Sequence, residues 1–251
     1  MTNYKDKYKE KYKKILFIPG WGFTNEIWKK FASEFFNLDK CVFIDLYEQI
    51  EGSDGNLNLI AKKVINEHRN ADLVISWSLG CFLAKEIESF SSSSNIKKMI
   101  YVAYSPKFMK SPSWNFGFNK RTIDKLRYDL KKDQEKTLKN FYLLILGIYK
   151  NKKILYKEIT KNINQMMKID LKKLNKTLDL LENYTCKTNI ENKQNNNLYI
   201  YGEDDAITSE DIVNFTKENE PFSNIIIIPK SSHIPFLTNE KEFKEILIKN
   251  L

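Results

Sequence analysis

Val74-Ile75-Ser76-Trp77-Ser78-Leu79-Gly80 is the stretch on which the fold turns. Apolar, β-branched residues run into a turn of pattern small–x–Ser–x–Gly, and Phe82-Leu83-Ala84-Lys85-Glu86-Ile87 follows with helical spacing. Strand, tight turn and helix in direct succession are the setting of a nucleophile elbow. The two backbones crowd at such a turn, so its flanking residues must be small. Ser76, where the pattern usually has glycine, still meets that need. The elbow holds the Ser78 hydroxyl proud of the sheet. It also aims the backbone N–H of Leu79 at the place where an oxyanion would form. A short pattern recurs by chance, so the rest of the chain has to supply its context.

Outward from the elbow, apolar runs recur at Ile15 to Ile18, Cys41 to Ile44, Met99 to Ala103, Leu198 to Tyr201 and Ile225 to Ile228. Such runs read as buried parallel strands. Helical patterns lie between them at Asn25 to Phe36, Leu57 to His68, Leu79 to Phe90 and Ser209 to Glu218. A last helix starts near Asn239, with Glu242 placed for a capping box. The alternation predicts an α/β fold with a doubly wound, mostly parallel sheet. It stops between Pro106 and Asn197, where long amphipathic helices take over; Leu138, Phe141, Tyr142 and Ile145 show their spacing. Residues 1–105 and 198–251 therefore read as one core, and 106–197 as an inserted helical lid. The stretch Asn192 to Asn197 reads as the loop back to the sheet.

A serine nucleophile needs a base, and the chain has two histidines. His68 ends a helix and reads as a terminal surface residue. His233 follows the strand Ile225 to Ile228 in Ser231-Ser232-His233-Ile234-Pro235-Phe236, where a hydrolase of this kind carries its base. The base needs a carboxylate to orient its tautomer. Gly202-Glu203-Asp204-Asp205 follows the strand Leu198 to Tyr201, and Asp204 and Glu203 compete with Asp205 for the role. The spacing from Gly202 favours Asp205. The order Ser78, Asp205, His233 is that of an α/β-hydrolase. Pro19-Gly20-Trp21-Gly22 after the first strand makes the amide of Trp21 the second oxyanion donor, beside that of Leu79.

Composition narrows the remaining classes. At 251 residues and 42% hydrophobic, the chain has ample material for one core. It contains no apolar run of membrane-spanning length. Met1 to Lys14 lacks an apolar signal core and reads as a solvated lead-in, so no export is expected. Cys41, Cys81 and Cys186 are widely spaced and odd in number, which fits a reducing cytoplasm rather than a disulfide framework. The net charge of +9 is spread along the whole chain without a nucleic-acid motif. No nucleic acid or membrane partner is expected, and the protein reads as a monomer.

Further residues carry a likeness to one family. Gly20-Trp21-Gly22 followed by Glu26-Ile27-Trp28, the elbow Trp77-Ser78-Leu79-Gly80, and Ser105-Pro106-Lys107-Phe108 with Trp114 are three of its segments. Asp133-Gln134 with Thr137, Phe141 and Gly147, Tyr201-Gly202 with Asp205, and His233 with Pro235-Phe236 and Glu242-Phe243 are the others. Together they resemble the pimeloyl-[acyl-carrier protein] methyl ester esterases of biotin synthesis, from the first strand through the lid to the last helix. The resemblance implies an α/β-hydrolase fold, and a triad of Ser78, Asp205 and His233 with oxyanion amides from Trp21 and Leu79. It also implies an acyl-carrier protein partner. Lys136 matches a lid arginine that faces the carrier, Asn140 stands where another is expected, and Lys150, Lys152, Lys153 and Lys157 offer charge farther on. These lysines also fit a merely solvated helix face. Pro19, Ser76 and Cys81 depart from the family pattern and bear on substrate identity, not on the triad.

The chemistry implied is ester hydrolysis through an acyl-enzyme, with no metal or redox cofactor. Trp21, Trp77 and Phe141 are candidates for an apolar acyl channel, and equally for core packing. A short-chain carboxylesterase or thioesterase would use the same triad. A binding protein on this scaffold would not need one, and a dehalogenase would need a carboxylate at position 78.

Overall fold

The computed structural model describes residues 11–90, 94–186 and 196–251. Its apolar runs form a single six-stranded sheet, every pairing parallel, in the order β2-β1-β3-β4-β5-β6. The strands are β1 Ile15–Ile18, β2 Cys41–Phe43, β3 Leu73–Trp77, β4 Lys98–Val102, β5 Leu198–Gly202 and β6 Asn224–Ile228. Parallel neighbours need crossovers, and helices supply them. In chain order these are α1 Glu26–Phe35, α2 Leu46–Glu51, α3 Leu57–Glu67 and α4 Gly80–Glu88. The insert contributes α5 Lys120–Lys132, α6 Gln134–Leu146, α7 Lys152–Ile159, α8 Ile163–Met166 and α9 Leu171–Asn183. The chain ends with α10 Glu210–Asn219, α11 Pro235–Thr238 and α12 Glu240–Asn250.

Strands β1, β3 and β5 are buried throughout, as their unbroken apolar runs require, and β4 is buried after Lys98. The two edges differ from expectation. β2 is half-buried, and β6 is exposed at Asn224 and Ile227, because an edge strand lacks a neighbour on one side. Helix α2 has no counterpart in the sequence reading. It is six residues long, too short to show a period, and starts where the Asp45 carboxylate accepts the N–H groups of Tyr47 and Glu48 at 3.0 and 3.2 Å.

The capping box expected at Asn239 and Glu242 does not form. The Asn239 amide instead donates to the Pro229 carbonyl at 3.2 Å and to Glu242 at 3.0 Å, so it ties the helix start to the preceding loop. The lead-in of Met1 to Lys14 falls outside the described residues up to position 10. Beyond it the chain is docked rather than solvated: Tyr12 is buried, and the N–H groups of Lys13 and Lys14 donate to buried Asp72. The return loop expected at Asn192 to Asn197 lies outside the described residues up to position 195.

The insert is punctuated by side chains that accept otherwise unbonded helix N–H groups. Asn119 accepts from Thr122, Asp133 from Lys136 and Asp170 from Lys172, at 2.7 to 2.9 Å. Asp133 closes α5 and opens α6 in one residue, which folds the two helices against each other. Gly147, at φ +51°, stops α6.

A buried ionic cluster joins α4 to the sheet. The Lys85 ammonium meets Glu88 at 2.8 Å and Glu220 at 2.6 Å. It also sits over the rings of Tyr101, Tyr104 and Tyr199 at 4.8, 5.5 and 5.4 Å from their centroids. Tyr101 and Asn197 donate to Glu88 as well.

Candidate active site

The order of the strands puts a switch point between β1 and β3: one crossover runs outward to β2, and the later ones run the other way. Open α/β sheets bind ligands outside the carboxyl ends of their strands at such a point. Ser78 stands there, one residue after β3, at φ +53°. A non-glycine residue in that region is strained. The Ser78 N–H is fixed by the Val102 carbonyl at 2.9 Å. Gly80 can be nothing larger, since a Cβ would lie 2.5 Å from the Pro19 carbonyl oxygen. The departure at Ser76 is accommodated, because its hydroxyl donates to the Ile100 carbonyl at 3.2 Å.

His233 Nε2 lies 2.9 Å from Ser78 Oγ. Its Nδ1 lies 2.8 Å from Asp205 Oδ2 and 3.0 Å from Oδ1. Both side chains are fully buried. The Asp205 carboxylate also accepts the N–H groups of Ile207 and Thr208 at 2.7 and 3.0 Å, and the Thr208 hydroxyl. Those donors fix the carboxylate in place, and its contact with Nδ1 orients the ring with the proton on that nitrogen. Nε2 is then free to accept from the serine hydroxyl. Gly202 makes the approach of the two loops possible, since a Cβ there would sit 2.1 Å from the Ser232 carbonyl oxygen.

The competitors for the acid do not bond His233. Glu203 is exposed and accepts the Lys230 N–H at 2.9 Å, and the Asp204 carboxylate makes no bond to His233. His68 closes α3; burial, and then Lys14, hold its imidazole below the ordinary histidine range.

Among the described residues, neither the Trp21 nor the Leu79 backbone N–H donates to a protein acceptor. The Trp21 ring meets Phe141 edge-on at 4.8 Å. Both rings line a cavity of about 370 Å³ between the oxyanion-loop side and the insert, with Phe118, Ile123, Leu126 and Leu144. Trp77 does not line it, contrary to expectation. Its indole is buried against Phe23 and Phe236, and its Nε1–H donates to the His233 carbonyl at 2.7 Å. A second cavity, of about 300 Å³, lies between α1, α7 and α8; neither cavity is lined by Ser78, Asp205 or His233, and the first reaches toward the site through Trp21.

Of the lysines considered for a carrier, Lys136, Lys150, Lys153 and Lys157 are exposed. Lys152 is not a free cation: its ammonium donates to the Gly147 carbonyl at 2.8 Å and caps α6. The sequence reading missed Thr208, which orders the acid, and Tyr47, Tyr142 and Asn162, which hold the Trp21 loop. No pattern marks the last three, because each acts on a residue distant in the chain, whereas Thr208 lies three residues from Asp205.

This sheet and this serine turn have the α/β-hydrolase fold. A solved bromoperoxidase from Bacillus anthracis shares the fold, at a TM-score of 0.81 and 16% identity over 95% of this chain and 91% of that one. No family model matches the chain. Curated relatives do. The pimeloyl-[acyl-carrier protein] methyl ester esterase of Wigglesworthia glossinidia brevipalpis is 29% identical over 240 residues, 93% of this chain and 91% of that protein. The protein of the same name from Pseudoalteromonas atlantica is 23% identical over 242 residues, 94% and 93% of the two chains. The resemblance drawn from the sequence is met by relatives named esterases over 93% and 94% of this chain.

Proposed function

We propose that the protein hydrolyses the methyl ester of a pimeloyl chain carried on acyl-carrier protein, in biotin synthesis, using Ser78, His233 and Asp205. The observation that carries the chemistry is the unbroken relay from Asp205 through His233 to Ser78 at 2.8 and 2.9 Å. The substrate rests on the names of the full-length relatives.

In this mechanism His233 Nε2 takes the Ser78 proton as Oγ bonds to the ester carbonyl carbon. The carbonyl oxygen gains charge and is held by the Trp21 and Leu79 amides, which lack protein acceptors. The carbon–methoxy bond breaks, and methanol leaves with the proton from His233. Water then loses a proton to His233 and attacks the acyl-enzyme, which releases the acid and returns the proton to Ser78. Asp205 keeps the imidazole in one tautomer throughout.

Residues 106–197 act as the lid, and the cavity behind Trp21 and Phe141 takes the acyl chain. Lys136, Lys150, Lys153 and Lys157 attract the acidic carrier. The enzyme works as a cytoplasmic monomer without a cofactor. Among the described residues no helix is long and apolar enough to cross a membrane.

The test is hydrolysis of methyl-pimeloyl acyl-carrier protein by the purified protein, beside a free short-chain ester. Cleavage of the carrier-linked ester, abolished in Ser78→Ala, is the expected result. A Ser78→Ala protein within tenfold of the parent would overturn the nucleophile. Cleavage of the free ester alone would assign a general carboxylesterase.

A further inference from the structure

We infer that Tyr142 and Asn162, both in the helical insert, are positioning residues for the oxyanion hole: together they clamp the loop that carries the Trp21 amide. The inference rests on the hydrolase reading of the site and adds to it a role for the insert beyond covering the substrate.

The loop Gly20–Thr24 has no secondary structure to fix its peptide planes, and Gly22 sits at φ +78°, where the backbone is free to turn. Side chains do the fixing. The Gly22 N–H donates to the Tyr47 hydroxyl at 2.9 Å, and the Gly22 carbonyl accepts the Tyr142 hydroxyl at 2.7 Å. Both polar groups of the residue after Trp21 thus end on tyrosines, one of them from the insert.

Asn162 completes the arrangement. Its Nδ2 donates to the Tyr142 oxygen at 2.8 Å and, more weakly, to the Gly22 carbonyl at 3.4 Å. Its Oδ1 accepts the Thr24 hydroxyl at 2.8 Å and the Thr24 N–H at 3.4 Å. Tyr142, Asn162, Tyr47 and Thr24 are all buried, so water does not compete for these bonds. On its opposite side the loop rests on the elbow: a Cβ on Gly20 would lie 3.0 Å from the Trp77 ring and 3.1 Å from Ser78 Cβ. The loop is held between the serine and the insert, 120 residues away in sequence.

An oxyanion donor works because it is aligned before charge develops, and a displacement of about 1 Å costs on the order of a hundredfold. Removing the Tyr142 hydroxyl leaves the Gly22 carbonyl with only the long Asn162 contact. The loop can then tilt, and the Trp21 amide with it. A short-chain ester leaves most of the cavity lined by the Trp21 ring unfilled, so its ground-state binding depends little on that alignment.

The experiment compares the parent with Tyr142→Phe and Asn162→Ala on a short-chain p-nitrophenyl ester. It also measures inhibition by a trifluoromethyl ketone, which adds the Ser78 oxygen to become a tetrahedral oxyanion. Both variants are expected to lose roughly 10- to 100-fold in kcat with KM changed by less than about twofold, and to lose ketone affinity by a similar factor. Val213→Ala, a buried change in α10, serves as a destabilised control; it lowers the melting temperature and moves neither quantity. If both loop variants keep kcat within about twofold, the clamp is overturned. It is equally overturned if they lose melting temperature and kcat while the ketone binds as tightly as to the parent. A parent that does not hydrolyse the ester would overturn the hydrolase reading, and this inference with it.

Discussion

The indole N–H of Trp77 donates to the backbone carbonyl of His233 at 2.7 Å, so the residue preceding Ser78 holds the loop of His233. The bond is fully buried and spans 156 residues. It explains why a tryptophan at the elbow packs inward and not toward the cavity lined by Trp21 and Phe141. Trp77→Phe keeps most of the apolar volume and leaves that carbonyl without its donor. A buried unsatisfied acceptor costs about 1–3 kcal/mol. The expected outcome is a lower melting temperature, and a kcat reduced roughly tenfold as the His233 loop loosens. Steady-state kinetics with a thermal melt checks it; an unchanged kcat would show that the loop holds its place without Trp77.

Asp205 and Asp204 are adjacent, yet only Asp205 meets the His233 ring. Asp205→Asn should lower turnover by roughly 10⁴-fold, because an amide can donate to Nδ1 and leave the proton on the wrong nitrogen. Asp204→Asn should change turnover by less than about threefold, the range of a surface substitution away from the machinery. Turnover on a p-nitrophenyl ester ranks them, and the reverse order would reassign the acid.

Lys136, Lys150, Lys153 and Lys157 project from the insert with no described acidic partner, whereas Lys152 is committed to Gly147. Exposed charges attract over about 8 Å at physiological salt and farther when salt is low. Changing the four to glutamate should raise KM for a carrier-linked substrate, most at low salt, and leave a small free ester unaffected. Equal effects on both substrates, or none on either, would reduce these lysines to a solvated helix face.

Lys85 has a structural role of high cost. Burial opposes ionisation of Glu88, but the Lys85 charge and the bonds from Lys85, Asn197 and Tyr101 outweigh it, so its carboxyl stays below the ordinary range. Lys85→Met leaves that carboxylate buried with its cation gone, which should cost about 3–5 kcal/mol. The sign of the pH effect follows from the lowered carboxyl. Its stabilisation is complete above the unfolded glutamate pKa of about 4.3, and fades as pH falls through the lower folded value. Denaturant melts at neutral and acid pH check both statements. A loss below about 1 kcal/mol would mean the cluster contributes little more than a surface pair.

Much of this protein was legible in its sequence. A parallel sheet buried on both faces demands unbroken apolar runs, so β1, β3, β4 and β5 announce themselves. The elbow is local: its strain, its glycine and its helix start lie within a few residues of Ser78. Chain order then singled out His233, and the spacing from Gly202 singled out Asp205. Edge exposure at Ile227, the short helix α2, the inward turn of Trp77 and the capture of Lys152 by Gly147 were not legible. Each depends on which surface another segment covers. The hydroxyls of Tyr47 and Tyr142 and the amide of Asn162 show the limit most clearly. Nothing in their neighbours marks them, because their partners are backbone groups of one loop, reached from three helical regions far apart in the chain. Local periodicity and spacing encode the scaffold and mark out Ser78, Asp205 and His233, which the fold brings into contact. The bonds that hold the Gly20–Thr24 loop form only when the packed fold brings those distant polar groups to Gly22.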